Sequence, residues 1–264
     1  VEGRLRLVEV VSVANQKGGT GKTTTAVNLA AVFAESGLRT LLVDFDPQGS
    51  ATSMAGFVPA KLKPAMYEVV MEGVPISEAL KRPQWARGEL DLAPSNLDLA
   101  AAEALLITKI GRERALFRAL KPVADRYDIV LIDTPPSLGI LTINALMSSN
   151  HVLIPVSAEY LPLEGIPLLL RTLDLLKREA DHEVEILGYV VTMVDRGLRL
   201  GRDVREALKS QLGELVFKTE IPRNVKVAEA PRYGKPVVVF DPDAPGAVAY
   251  RKLAQEILDR LGVS

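Results

Sequence analysis

Cysteine is missing from the 264-residue sequence, and its absence removes several kinds of chemistry at once. A chain without thiols forms no disulfides, has no thiolate nucleophile, and holds neither zinc nor an iron–sulfur cluster through cysteine. Because a reducing compartment has no use for disulfides, a cytoplasmic location is the simplest expectation.

Long apolar runs and net charge are also lacking. No hydrophobic stretch approaches the roughly 20 residues of a membrane-spanning helix, and no signal-peptide pattern precedes the first apolar segment, so we expect no membrane contact. Lysine and arginine number 32 against 33 acidic residues, for a net charge of −1. Any attraction to nucleic acid must therefore come from a local surface.

The sequence does contain an alternation of short apolar segments and helical patterns. Helices are predicted at 23–36 and 246–261, and strands at 9–14, 40–45, 127–133, 151–157 and 184–194. Strands that are apolar on both faces and separated by helices indicate a parallel sheet covered on both sides. We predict an α/β fold with a single doubly wound, mostly parallel sheet. The proline-rich segment 56–87 is predicted to cross the sheet surface, within one domain spanning 1–264.

A glycine-rich stretch, ANQKGGTGKTTT at residues 14–25, lies between the first predicted strand and the first predicted helix. Gly18, Gly19 and Gly21 can adopt backbone angles that turn successive N–H groups inward around a phosphate. The N-terminus of the following helix adds a favourable dipole for an anion. The strand–loop–helix context therefore predicts a phosphate-binding loop.

Two lysines belong to this loop. Lys22 is placed to reach the β and γ phosphates of a nucleotide, and the Thr23 hydroxyl is placed to bind Mg²⁺. The usual pattern G-x-x-x-x-G-K-[ST] has a glycine where this chain has Gln16, and the neighbouring Lys17 is additional. Spacing alone leaves two interpretations of Lys17 open, a cation for a facing subunit or a solvated loop lysine.

Three carboxylates follow predicted strands. Asp44 and Asp46 end the segment LLVDFD, and Asp133 ends IVLID, a Walker B pattern. Ligands of open parallel sheets bind at the carboxyl ends of the strands, so we expect all three to face the phosphate cleft. Asp133 is predicted to hold Mg²⁺ through its water shell, and Asp44 to orient the attacking water. Asp46 is open to a structural or a functional interpretation.

The motifs together resemble the ParA/Soj branch of the deviant Walker A (MinD/ParA) P-loop ATPases, which segregate chromosomes and plasmids. The resemblance lies in KGGTGKTTT, LLVDFDPQGSAT and IVLIDTPPSLGILTINAL, and VLIPVSAEYLPLEGI and IPRNVKVAEAPRYGKPV extend it over nearly the whole chain. It implies a Mg²⁺-dependent ATPase that forms a homodimer on ATP and binds double-stranded DNA non-specifically. It also implies a nucleoid-associated protein whose hydrolysis is stimulated by a ParB/Spo0J-like partner.

The resemblance also implies roles for individual residues. Lys17 reaches the partner subunit's ATP, and Pro222 and Asn224 flank the base and ribose. Thr20 stands where relatives usually carry valine, and we expect little consequence. The implied catalytic residues are Lys17, Lys22 and Asp44. The implied metal site is Thr23, Asp44 and Asp133. The implied nucleotide site is Lys17, Gly18, Gly19, Thr20, Gly21, Lys22, Thr23, Thr24, Pro222 and Asn224.

A basic stretch lies near the C-terminus. Between Arg196 and Lys235 there are ten basic residues and five acidic ones. Such a run is either an ordinary solvated face or a DNA-binding surface, and sequence alone does not separate the two. The residues predicted to contact DNA are Arg196, Arg199, Arg202, Arg223 and Lys226.

Relatives with other functions make different demands on the sequence. A reductase like the nitrogenase iron protein needs cysteines for its cluster, so that class is excluded. A MinD-like division-site ATPase is expected to carry an amphipathic membrane helix after the last core helix, and none is predicted here. A small-molecule metabolic enzyme using the same loop stays open. A binding role without hydrolysis is disfavoured by Lys22, Thr23, Asp44 and Asp133.

Overall fold

A computed structural model of the chain describes residues 8–158, 166–195 and 199–263. Every strand pairing in its sheet is parallel, and the spatial order is β3-β2-β4-β1-β5-β6. The strands are β1 (Glu9–Val13), β2 (Thr40–Asp44), β3 (Leu90–Ala93), β4 (Ile129–Asp133), β5 (His151–Ser157) and β6 (Glu185–Thr192). The predicted α/β class with a parallel sheet is confirmed.

Helices connect the strands and cover both faces. The α-helices of the described ranges are α1 (Lys22–Glu35), α2 (Ser50–Met54), α3 (Ile76–Ala79), α4 (Leu99–Leu106), α5 (Ala115–Leu120), α6 (Ile140–Met147), α7 (Ile166–Ala180), α8 (Arg199–Leu212), α9 (Val225–Glu229), α10 (Val237–Phe240) and α11 (Pro245–Leu261). Short 3₁₀ segments lie at Pro59–Lys61, Arg112–Arg114, Lys121–Arg126, Gly213–Leu215 and Ala230–Tyr233, and a π-turn at Glu68–Glu72. Within the described ranges, no helix has both the length and the apolar character needed to cross a membrane.

Pairs of neighbouring apolar residues in the strands explain why the sheet is packed on both faces. Successive side chains of a strand point to opposite faces, so each pair contributes one residue to the core on each side. Val11 and Leu42 join the core under α1 and α11, whereas Val10 and Leu41 join the core on the other face, with α5 and α6. The central strands are therefore buried on both sides, as continuous apolar runs predict.

The strand β3 was not predicted. It is only four residues long, lies at the edge of the sheet, and contains the polar Asp91. The Asp91 carboxylate accepts a hydrogen bond from the Tyr127 hydroxyl at 2.8 Å. The contact joins residues 36 positions apart in the sequence, so the local residue pattern did not reveal it. The preceding segment 56–87 packs onto the sheet, where Met66 and Val69 belong to the core.

The register of the sheet brings three strand ends together. Val13 of β1 and Asp44 of β2 both lie beside Asp133 of β4. The loops that follow these strands therefore meet at one edge of the sheet, and the phosphate loop follows β1 directly.

Candidate nucleotide site

The glycine-rich loop bounds an open cleft of about 500 Å³ at this edge. Gly19 and Gly21 have φ angles of 73° and 83°, in the left-handed region that favours glycine, and α1 begins directly after Gly21. Every residue from 18 to 24 lines the cleft. The predicted loop residues are therefore brought together: Gly18, Gly19, Thr20, Gly21, Lys22, Thr23 and Thr24.

The two lysines of the loop occupy different environments. The Lys22 side chain lies in the cleft, with the residue only 6% exposed, and its Nζ donates to the Lys17 carbonyl oxygen at 3.3 Å. Burial lowers the pKa of Lys22, and the nearby Asp133 and Asp46 oppose that shift. Lys17 is exposed at the outer lip of the loop. A bound phosphate would stabilise the charged form of Lys22 further.

Asp133 is fully buried behind the loop. Burial raises its pKa well above the usual value, and the neighbouring Asp44 raises it further. In the described part of the chain, neither carboxyl oxygen of Asp133 has a hydrogen-bond partner. The Thr23 hydroxyl lies close enough to favour the ionised carboxyl, without the geometry of a good hydrogen bond.

These orphaned oxygens fit a cation site. Buried polar atoms are rarely left without a partner, so an unsatisfied carboxylate points to a missing ion or water. Residues 8–158, 166–195 and 199–263 contain no cluster of three or more histidine and acidic side chains suited to a metal. Mg²⁺ does not need one, because it keeps several waters and uses one or two carboxylates with substrate phosphates. Thr23 and Asp133 are the side chains that fit it.

Asp44 is also fully buried, but its oxygens are engaged. Its Oδ2 accepts both the backbone N–H and the hydroxyl of Thr52, each at 2.7 Å. Its Oδ1 accepts the Asp46 N–H at 3.3 Å. Burial raises the pKa of Asp44, and the Thr52 hydrogen bonds oppose that shift.

The three carboxylates lie at the same edge of the sheet but differ in burial. Asp46 lines the cleft, whereas Asp44 and Asp133 are 0% exposed. Asp46 also accepts the Gln48 N–H at 2.9 Å in the turn after β2, which gives it a structural contact as well. Asp44 and Asp133 are buried because β2 and β4 are buried up to their last residues.

One wall of the cleft includes residues that sequence reasoning missed. Met193 and Pro231 line it, and Met193 has a φ of 56°, which is uncommon for a non-glycine residue. Thr192 is buried, and its hydroxyl donates to the Thr20 carbonyl at 2.9 Å. Met193 directly follows β6, whose carboxyl end lies at the same edge of the sheet as the other strand ends. That position could have indicated Met193 as a cleft residue. Pro231 lies in the segment IPRNVKVAEAPRYGKPV, which belongs to the resemblance, but no role was predicted for it.

The residues predicted to flank the base lie next to this wall. Pro222 pairs with Val194, directly after Met193, in an isolated parallel bridge. Asn224 caps α9, because its Oδ1 accepts the Lys226 N–H at 3.1 Å. Their contact with a nucleotide stays a prediction.

The predicted DNA-binding residues are described only in part. Arg196 lies outside the described residues, as do the side chains of Arg199 and Arg202 on α8. Arg223 and Lys226 are exposed. Lys226 forms an ion pair with Glu229 at 3.0 Å, so part of its charge is already compensated.

Comparisons with known proteins agree with this architecture. A family model described as an AAA domain matches residues 8–186. The sporulation initiation inhibitor protein Soj of Bacillus subtilis (strain 168) is 44% identical over 249 residues, covering 94% of this chain and 98% of that protein. The chromosome partitioning protein ParA of Myxococcus xanthus is 41% identical over 95% of this chain and 88% of its own length.

A solved structure is similar over the same extent. The cobyrinic acid a,c-diamide synthase of Mycobacterium smegmatis with bound ADP and magnesium is 37% identical, with a TM-score of 0.84. The match covers 97% of this chain and 96% of that one. With the phosphate loop, the strand-end carboxylates and the partitioning relatives in agreement, the chain belongs to the Soj/ParA family of P-loop NTPases.

Proposed function

We propose that this chain is a Mg²⁺-dependent ATPase switch that acts in chromosome or plasmid segregation, with residues 1–264 forming one P-loop domain. ATP brings two copies together, and the dimer binds double-stranded DNA without sequence preference. A ParB/Spo0J-like partner stimulates hydrolysis, which separates the copies. The protein acts in the cytoplasm, on the nucleoid.

The observation that carries the proposal is the different placement of the two lysines. Lys22 lies inside the cleft of its own chain, whereas Lys17 is exposed on the lip, five residues earlier. The transition state of phosphoryl transfer gathers charge, and a cation supplied by a second subunit raises the rate by about 10³- to 10⁵-fold in related systems. The exposure of Lys17 supports this role toward a facing copy.

The remaining residues supply binding and positioning. Loop N–H groups, the start of α1 and Lys22 hold the phosphates. Thr23 and Asp133 hold Mg²⁺, which neutralises charge on the phosphates when it is bound. Asp44 orients the attacking water. The Mycobacterium smegmatis protein with bound ADP and magnesium, 37% identical, supports ATP and Mg²⁺ as the cofactors here.

A pair of alanine substitutions tests the division between the lysines. Lys22→Ala should weaken ATP binding by the monomer, because it removes the charge inside the cleft. Lys17→Ala should leave that binding intact and lose ATP-dependent dimerisation and hydrolysis. ATP affinity is measured by calorimetry, and dimerisation by size-exclusion chromatography with ATP and Mg²⁺.

Lys252→Ala is the matched control, because Lys252 is an exposed lysine on α11, outside the cleft lining. It should behave like the parent in both measurements. Equal losses of ATP affinity in Lys17→Ala and Lys22→Ala would place both lysines in the same subunit's site and contradict the proposal.

A small-molecule enzyme is the second candidate, because the similar cobyrinic acid a,c-diamide synthase carries such a name. The two functions predict different activators of hydrolysis. A segregation switch should respond to double-stranded DNA, whereas a synthase should respond to its carboxylic acid substrate. Hydrolysis measured with plasmid DNA and with cobyrinic acid separates them.

A further inference from the structure

Thr52 joins the site to a strand that does not contact the nucleotide cleft. It lies in α2 and is fully buried. Its Oγ1 is 2.7 Å from Asp44 Oδ2 and 2.9 Å from the backbone nitrogen of Ser95, just after β3. The hydroxyl therefore bridges a carboxylate and a backbone amide.

The direction of this bridge is fixed by its two ends. A backbone N–H can only donate, so Ser95 must donate to the Thr52 oxygen. The hydroxyl's own proton is then directed to Asp44, because an ionised carboxylate can only accept. For an ionised Asp44, the order is therefore Ser95 N–H, Thr52 O–H, Asp44 Oδ2.

The bridge makes the two oxygens of Asp44 unequal. Oδ2 accepts two hydrogen bonds of 2.7 Å from Thr52, whereas Oδ1 accepts one N–H from Asp46 at 3.3 Å. Oδ1 is thus the oxygen with capacity to spare for a water. We infer that Thr52 is a positioning residue, which holds the Asp44 carboxylate so that Oδ1 orients the attacking water; this inference rests on the role proposed for Asp44.

Loss of the hydroxyl should affect turnover and spare ATP binding. The residues of α2 that line the cleft are Ser50, Ser53 and Met54, so Thr52 acts through Asp44. Without the hydroxyl, Oδ2 keeps only the backbone donor and the carboxylate gains freedom to rotate. Small displacements of a positioned group cost up to about 100-fold in rate.

A graded series at this position tests the inference in the full chain. We expect kcat for ATP hydrolysis to follow donor strength, with Thr52→Ser near the parent, Thr52→Cys lower, and Thr52→Val lowest by about 10- to 100-fold. The Kd for ATP should stay within about 2-fold throughout, since no phosphate contact changes. Hydrolysis is followed as phosphate release with ATP, Mg²⁺ and plasmid DNA, and Kd by calorimetry.

Thr40→Val is the matched control. Thr40 is equally buried, lies at the other end of β2, and donates its hydroxyl to a backbone carbonyl. It reports what the loss of a buried threonine hydroxyl does to folding alone, measured as Tm. If Thr52→Val does not fold, the difference between Thr52→Ser and Thr52→Cys carries the test.

Three results from the full series overturn the inference. They are a Thr52→Val kcat equal to that of Thr40→Val, a joint loss of kcat and ATP affinity, and equal damage in Thr52→Ser and Thr52→Val. When only Thr52→Ser and Thr52→Cys can be compared, equal kcat values of these two variants overturn the inference too. Hydrolysis by Asp44→Asn distinguishes a failure of the role proposed for Asp44 from a failure of the role inferred for Thr52. Parent-like hydrolysis there removes the proposed role of Asp44, whereas a slow Asp44→Asn beside a normal Thr52→Val removes only that of Thr52.

Discussion

The two flanks of the phosphate cleft are each anchored by a buried threonine, but the acceptors differ. On the β2 side, Thr52 donates to the carboxylate of Asp44 at 2.7 Å. On the β6 side, Thr192 donates to the backbone carbonyl of Thr20, inside the loop, at 2.9 Å. One flank therefore fixes a group proposed to act on water, and the other fixes the shape of the loop that holds phosphate.

From this difference we expect the β2 flank to affect the turnover of ATP and the β6 flank to affect the affinity for ATP. A residue that orients a reacting group changes kcat, whereas a residue that shapes a phosphate cradle changes the affinity for ATP. The β6 flank also continues through Met193 into the basic stretch that begins at Arg196. Along the chain, this flank therefore leads to the residues proposed to bind DNA.

The largest effect should come from reversing charge on that stretch. Replacing Arg199, Arg202 and Arg223 with glutamate turns its surplus of five positive charges into a deficit of one. Affinity for arbitrary duplex DNA should fall by about 1,000-fold, since each lost phosphate contact also loses its counterion release. ATP-dependent dimerisation should persist. A mobility shift assay with ATP and with ADP measures the first, and size-exclusion chromatography the second.

Replacement by lysine at the same three positions is the control, because it keeps the charge. DNA binding that survives the glutamate substitutions would place the interface elsewhere and break the link between the β6 flank and DNA.

A smaller but still large effect is expected at Asp44. Asp44→Ala should lower hydrolysis by about 100-fold, the usual cost of losing a group that stabilises or orients in the transition state. ATP should still bind, so the dimer should accumulate and bind DNA for longer. Size-exclusion chromatography with ATP and Mg²⁺ measures this. A variant that stays monomeric, or that hydrolyses ATP at the parent rate, contradicts the role assigned to the β2 flank.

Thr192→Val should have a modest effect of the opposite kind. It removes the hydrogen bond to the Thr20 carbonyl, together with a longer one of 3.3 Å to the Val156 carbonyl, and leaves the side-chain volume nearly unchanged. We expect the Kd for ATP to rise about 5-fold, the worth of one ordinary hydrogen bond, with kcat at saturating ATP preserved. Calorimetry and steady-state kinetics measure the two. A fall in kcat with unchanged Kd would show that Thr192 affects turnover as Thr52 is expected to, and would contradict the difference proposed between the two flanks.

Local patterning predicted the elements whose residues are determined by burial. All five residues of β2 are buried, so a continuous apolar run marks it, and the glycines of the loop mark the turn into α1. The positions of Gly21, Lys22 and Thr23 at the cleft follow from that context.

The parts that sequence did not reveal depend on contacts between distant residues. Thr52 meets Ser95 across 43 positions, and Thr192 meets Thr20 across 172. Thr52 is the last residue of the motif LLVDFDPQGSAT, but the motif does not show its contact with Ser95, and both contacts depend on the parallel order of the strands. The burial of Asp44 is a similar case, since the pattern shows that it ends a strand and not that its side chain is fully buried.

The smallest effect should come from Lys226, which is exposed and paired with Glu229 at 3.0 Å. Exposed ion pairs contribute little to stability, so Lys226→Ala should leave the Tm unchanged. If its ammonium contacts a phosphate, affinity for duplex DNA should fall about 2-fold and the slope of log K against log salt should decrease by about 1. Titration of DNA binding from low to high salt measures both, with Lys252→Ala as an exposed control on α11. A slope equal to that of the parent would remove Lys226 from the proposed DNA-binding surface. Because the partner Glu229 already neutralises part of the charge, Glu229→Ala should act in the opposite direction and strengthen DNA binding.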